Sequence, residues 1–184
     1  MQHDKDIIWI EKCLAGDQQS FRQIVVNHKD MIYTIAFNIL KNAEEAEDVA
    51  QMVFIKAFQK LDTFKQTALF STWLYRIAYN MSISELRKQK QRKYEVEGLD
   101  FEKLANNLPD DESAIEKEEM SILLQQAIEK LDPEDSALIS LYYIQNQSVE
   151  QIAEITGLGQ SNVKTKMFRI RKKLHSQLLA PQYH

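Results

Sequence analysis

Apolar residues recur at spacings of three and four along most of this chain, and strand-like alternation is scarce. Ile7, Ile10 and Leu14 predict a short first helix closed by Gly16. Asp17 is the expected N-cap of a long second helix. Its face of Phe21, Ile24, Val25, His28, Ile32, Ile35, Ala36 and Ile39 stays apolar for roughly six turns. His28 has no second ligand nearby and reads as a core or rim histidine. Asn42 marks a turn. A third helix starts near Ala43, with Glu44, Glu45, Glu47 and Asp48 where acids favour the helix dipole. Val49, Ala50, Val53, Ala57 and Leu61 form its buried face, and Phe54 and Phe58 widen the apolar surface beside it. The stretch from Thr63 to Phe70 breaks the period. Ser71 is the expected N-cap of a fourth helix, whose inner face is Leu74, Ile77, Ala78 and Met81 and whose end is basic.

Between Tyr94 and Glu119 the apolar period fades and ten carboxylates face only Lys103 and Lys117, which predicts an acidic linker. Periodicity returns at Leu124, Ala127, Ile128 and Leu131. Asp132 then precedes Pro133, the pattern of an N-cap before proline at the first helical position. Leu138, Leu141 and Tyr142 line that helix and Asn146 ends it. Ser148 and Gln151 have the spacing of a capping box, and Gly157 suits a left-handed C-cap. Val163, Met167, Ile170 and Leu174 share the inner face of a last helix from about Gln160. Ser161, Thr165, Phe168, Arg169 and Lys172 lie opposite, with Lys164 and Arg171 on the flank. Apolar inside and donors outside, behind a short helix and a tight turn, this is a helix-turn-helix that fits a DNA major groove.

Charge sharpens this picture. The chain is formally −4, yet no acid follows Glu154, while Lys164, Lys166, Arg169, Arg171, Lys172 and Lys173 crowd the last helix. Local sign, not the sum, sets the field a phosphate backbone meets. A single cysteine, Cys13, permits no intrachain disulfide and no thiolate metal cluster. No signal peptide and no membrane span of about 18 apolar residues is visible, so a cytoplasmic protein is expected.

Two further stretches suggest binding. Trp73, Tyr75, Arg76, Tyr79 and Asn80 interleave on a helix that ends in Arg87, Lys88, Lys90, Arg92 and Lys93. Aromatic faces stack bases and cations hold phosphates, as single-strand binding requires; a dipole-complementing basic end is the alternative. The Phe54 and Phe58 flank, with acids and Gln51 around it, suits either a partner or ordinary packing. Phosphate loops, metal-spaced histidines and a Gly-x-Ser-x-Gly elbow are missing, so no enzyme, cofactor or metal is expected.

Three segments, in order, resemble the sigma-70 family of bacterial transcription initiation factors, in its extracytoplasmic-function (ECF) branch. They are EAEDVAQMVFIKAFQKL, FSTWLYRIAYNMSISELRKQK, and LDPEDSALISLYYIQNQSVEQIAEITGLGQSNVKTKMFRIRKKL. The resemblance implies an all-α protein of two small helical domains: region 2 over 1–93, the acidic linker over 94–119 and region 4 over 120–180. It implies a factor that binds core RNA polymerase, directs it to promoters and assists melting. Asp48, Gln51, Phe54 and Phe58 match the helix that docks on the clamp coiled coil of the polymerase largest subunit. Phe64, Lys65, Gln66 and Phe70 match the loop that captures a flipped −10 base. Trp73, Arg76, Asn80 and Arg87 match positions near the unpaired strand, with a core role for Trp73 equally open. Gln160, Ser161, Asn162, Lys164, Thr165, Phe168, Arg169, Arg171 and Lys172 match the −35 recognition helix. An anti-sigma factor is a further candidate partner. The chain departs from the pattern at Met52 (usually Glu), in lacking a glycine after Phe64, at Ser84 (often Asp) and at Gly159 (usually Ser).

Two promoter elements more than two duplex turns apart demand a span of roughly 70 Å. A relaxed linker of about 26 residues spans only around 28 Å, and a fully extended one about 85 Å. The linker must therefore run extended on the promoter complex. The competing functions are a stand-alone helix-turn-helix regulator, which would not need the docking-like helix, and an interaction protein that no longer reads DNA.

Overall fold

The computed structural model describes residues 2–97, 126–128 and 130–178, and among these there is no strand. Helix α1 spans Gln2–Leu14, α2 Gln19–Leu40, α3 Ala43–Gln59 and α4 Phe70–Glu97; a 3-10 turn, Leu61–Thr63, follows α3. After the described gap come α5 (Pro133–Tyr143), α6 (Val149–Thr156) and α7 (Gln160–Leu178). The expected acidic linker lies outside the described residues, except that α4 continues as helix to Glu97.

The long helix α2 is the spine. Ile24, Ile32, Ile35, Ala36 and Ile39 are buried along it, and α1, α3 and α4 pack around them. Of the apolar positions that predicted α1, Ile10 is buried and Leu14, two residues before left-handed Gly16, is exposed. The N-cap of α2 is Gln18 rather than the expected Asp17, which lies one residue earlier and steadies the first turn: its carboxylate accepts from Gln19 N–H at 3.0 Å and from the Ser20 hydroxyl at 2.7 Å. These bonds, the Ser20 hydroxyl first, hold its carboxyl below the usual range. Ser71 does not cap α4. The helix starts one residue earlier, at Phe70, and Trp73 N–H bonds back to Leu69 O. His28 is a core histidine, with Nε2 3.0 Å from a buried Asp6 carboxylate on α1.

In the C-terminal half the capping box forms with both hydrogen bonds, Gly157 takes the left-handed C-cap, and Val163, Met167, Ile170 and Leu174 are all buried. Ile152 and Ile155 are the buried positions of α6.

The two halves share one continuous apolar core: α5 packs on α2, and α6 packs on α4. Polar bonds cross the seam. Asn38 Nδ2 donates to Ser140 Oγ at 2.8 Å, and Lys41 Nζ to Ser136 Oγ at 2.9 Å. The Tyr75 hydroxyl reaches Gln145, and Thr72 reaches Gln147, both at 3.4 Å. Helix α5 explains this arrangement. Ser136 through Leu141 are all buried, so it has no solvent-facing side to spare, and such a helix needs packing partners all round.

Candidate nucleic-acid and polymerase interfaces

Three outward surfaces result from this scaffold. The first is the face of α7 opposite its buried stripe. Gln160, Ser161, Asn162, Lys164, Thr165, Phe168, Arg169 and Lys172 are all exposed there, and the Phe168 ring, 69% accessible, stands at its centre. The cations of α7 divide into two sets. Lys166 pairs with Glu134 (3.4 Å) and Asp135 (3.6 Å), and Lys173 with Asp132 (3.5 Å), tying α7 to the start of α5. Arg171 Nε donates to the Tyr143 hydroxyl at 2.9 Å, and its guanidinium lies over the Tyr142 and Tyr143 rings at 5.3 and 5.7 Å. Arg171 is therefore drawn to α5, away from the centre of the face. Lys164, Arg169 and Lys172 have no ion pair or hydrogen bond among the described residues. The sequence did not reveal this division, because it depends on which side of α7 meets α5.

The second surface is a groove of about 860 Å³ between α3 and α4. Val49, Trp73, Ile77 and Met81 give it an apolar floor. Arg76, Asn80, Lys56, Lys60 and Lys88 supply polar rims, with Glu45, Asp48 and Glu85 at one end. Arg76 and Asn80 are exposed, as is Arg87 further along α4. Trp73 is half-buried, tilted against Phe64 and Phe70 at 5.6 and 5.5 Å, and it lines the groove. Lys56 and Lys60, one helical turn apart, were missed by sequence reasoning because they belong to the helix read only as a docking element.

The loop at the mouth of this groove carries exposed Lys65 and Gln66. Gln66 sits at φ +54°, the left-handed region that a glycine enters without strain. Phe64 is half-buried and edge-on to Phe70, 5.3 Å away. Phe70 was expected to touch DNA, and here the structure differs. Its ring is 0% exposed, enclosed by His28, Phe64 and Trp73, so it is the floor beneath the loop.

The third surface is the outer face of α3. Asp48 and Gln51 are exposed and Phe58 is 42% exposed, its ring edge-on to Phe21 at 5.0 Å. Phe54 was expected beside them but is buried, 8% exposed, because its position on the helix turns it towards the Val53 and Ala57 side. Met52 and Ile55, 51% and 49% exposed, take its place and join Phe58 in an apolar strip.

A model of sigma-70 region 2 matches residues 24–92, which hold the second and third surfaces, and a model of sigma-70 region 4 matches residues 121–174, which hold the first. The ECF RNA polymerase sigma factor SigW of Bacillus subtilis is 39% identical over 92% of this chain and 94% of its own length. The chain belongs to the ECF branch of the sigma-70 family. The Escherichia coli ECF RNA polymerase sigma-E factor is 29% identical over 94% of each chain. Two solved folds are similar to that of this sigma factor. One is CnrH, in a complex with the cytosolic domain of CnrY (TM-score 0.68, 24% identity, 97% of this chain and 99% of that one). The other is RpoE of Bartonella quintana, in a complex with the anti-sigma factor NepR (TM-score 0.69, 22% identity, 89% and 99%). This sigma factor is thus a promoter-specific initiation factor that acts by binding rather than by a reaction of its own. Among the described residues no helix is long and apolar enough to cross a membrane.

Proposed function

We propose that the three surfaces divide the work of initiation among named residues. Asp48, Gln51, Met52, Ile55 and Phe58 dock on the clamp coiled coil of the polymerase largest subunit: an apolar strip with polar edges suits a helical partner. Phe64, Lys65 and Gln66 receive a −10 base that leaves the stack, at an unstacking cost of a few kcal/mol. Trp73, Arg76, Asn80 and Arg87 hold the unpaired strand by stacking and phosphate contact. Phe54 and Phe70 act from beneath, as packing. On α7, Gln160 and Asn162 suit adenine, Arg169 suits guanine, and Phe168 offers an apolar contact to a thymine methyl, while Lys164 and Lys172 serve phosphates. Arg171 works from the flank. Residues 1–93 and 120–180 are the two reading domains, joined by the acidic linker, and the factor works in the cytoplasm. An anti-sigma factor is a partner of the kind its structural neighbours bind.

The observation that carries this assignment is the sorting of α7, where the outward cations have no ion pair or hydrogen bond among the described residues and the others are tied to α5. Run-off transcription with core polymerase on a genomic promoter library tests it. Arg169→Ala is expected to cost about 1–3 kcal/mol at one −35 position. Output that is independent of the −35 sequence, in the wild type or unchanged by that variant, refutes the assignment.

A further inference from the structure

We infer that helix α1 is a working part of the −10 site: the buried Asp6–His28 pair fixes where α1 sits, and α1 in turn holds the loop of Phe64, Lys65 and Gln66 from behind. This deepens the −10 reading proposed above and rests on it. Asp6 and His28 are each 2% exposed, and His28 Nε2 lies 3.0 Å from Asp6 Oδ1. An ionised carboxylate only accepts, so Nε2 carries the proton and donates. Nδ1 of the same ring is buried with no hydrogen-bond partner among the described residues. His28 stands in the apolar stripe between Ile24 and Ile32, where a leucine would bury without leaving a polar atom unsatisfied. A choice that costs stability is explained by what it specifies. One donor and one acceptor meet in a single register, whereas apolar side chains pack in several.

The register matters because α1 touches both ends of the loop. It packs on the 3-10 turn Leu61–Thr63, which enters the loop, and on α4, which leaves it. The His28 ring is edge-on at 5.7 Å to Phe70, the first residue of α4. The charge of Asp6 is felt on α4 as well, where it is the second cause, after burial, that raises the Tyr75 phenol. Asp6 thus acts on the −10 site without touching DNA. It is a positioning residue, and it precedes the residues that match region 2. The floor under the loop needs only the volume at position 70; what the pair sets is where the two ends of the loop stand.

The test uses the holoenzyme, with Trp9→Phe so that Trp73 is the only tryptophan of the factor. Asp6→Leu with His28→Leu replaces both partners by apolar groups, leaves no buried charge, and should keep Tm within about 4 °C. This double variant should nonetheless bind a single-stranded −10 oligonucleotide about tenfold more weakly, with Trp73 emission shifted, because a loosened support misplaces the loop. Core polymerase binding should stay within about twofold. His28→Gln puts an amide N–H where Nε2 stands and should keep oligonucleotide affinity within about threefold of the wild type. His28→Asn is too short to reach Asp6 and should not. Wild-type affinity in the folded double variant overturns the inference, as does equal affinity in the Gln and Asn variants. The Gln and Asn comparison decides alone if the double variant does not fold. A wild-type holoenzyme that binds a scrambled oligonucleotide equally well refutes the −10 reading instead.

Discussion

Phe70 provides the sharpest test of how the −10 surface is built. Its ring is fully enclosed, with centroids of His28, Phe64 and Trp73 at 5.7, 5.3 and 5.5 Å. Replacing such a residue by Ala removes its transfer free energy and leaves a cavity, together about 3–5 kcal/mol. In a chain of this size each kcal/mol moves Tm by about 2–4 °C, so Phe70→Ala should melt about 6–20 °C lower. That variant cannot separate packing from DNA contact, because the loop above would collapse with it. Phe70→Leu can. It keeps most of the volume and should cost about 1–1.5 kcal/mol, or roughly 2–6 °C. Well below that melting point, its holoenzyme should bind a single-stranded −10 oligonucleotide as the wild type does. Circular dichroism melts and fluorescence anisotropy give the two readouts. An unchanged Tm with oligonucleotide affinity more than about tenfold weaker would mean that the ring touches the base itself, and the core assignment would fail.

Three other outcomes follow from the same structure. Gly159 precedes α7 at its N-cap, and a Cβ there meets nothing within 4 Å, so Gly159→Ser should raise stability by a few tenths of a kcal/mol, measured by urea midpoint. Ile55→Lys places a charge in the apolar strip of α3 and should weaken core polymerase binding by about tenfold in a titration, without lowering Tm. Burial, helped by the charge of Asp6, raises the Tyr75 phenol. Burial and then Glu134 push Tyr79 up to about 12, against the opposing Arg87. A raised folded pKa contributes stability in full below the unfolded value near 10 and loses it as pH rises towards 12. Urea midpoints should therefore fall over that window, and less steeply in the Tyr75→Phe, Tyr79→Phe double variant.

Most of the fold was legible because its signal is periodic. The stripes of α2 and α7 and both caps of α6 in the helix-turn-helix follow from local rules of spacing and capping. The buried strips of α5 and α6 were read only in part. Leu138 and Leu141 showed one face, while Ser136, Ser140 and Ile155 were buried against elements far away in sequence. The site residues divide in the same way. Charged and amide side chains were placed correctly outside, because solvent is their default. Aromatic ones were not: Phe54 and Phe70 went inside, while Phe58 and Phe168 stayed out. A phenyl ring belongs equally well to a core or to an interface, and only the neighbouring helices decide which. Gln66 shows the reverse case, since a left-handed backbone at a residue without glycine's freedom has no composition signal.

The pairing of Lys166 and Lys173 with acids of α5, and the stacking of Arg171 on its tyrosines, has a consequence for turnover. Only cations that displace counterions from DNA add to salt-dependent grip, by about 0.9 in the slope of log K against log salt for each phosphate met. With Lys164 and Lys172 serving phosphates, the slope for the upstream element should be near −2 rather than near −5, as filter binding across a salt series would show. A factor that holds its promoter this lightly lets go easily once transcription has begun, and returns to the pool that competes for polymerase.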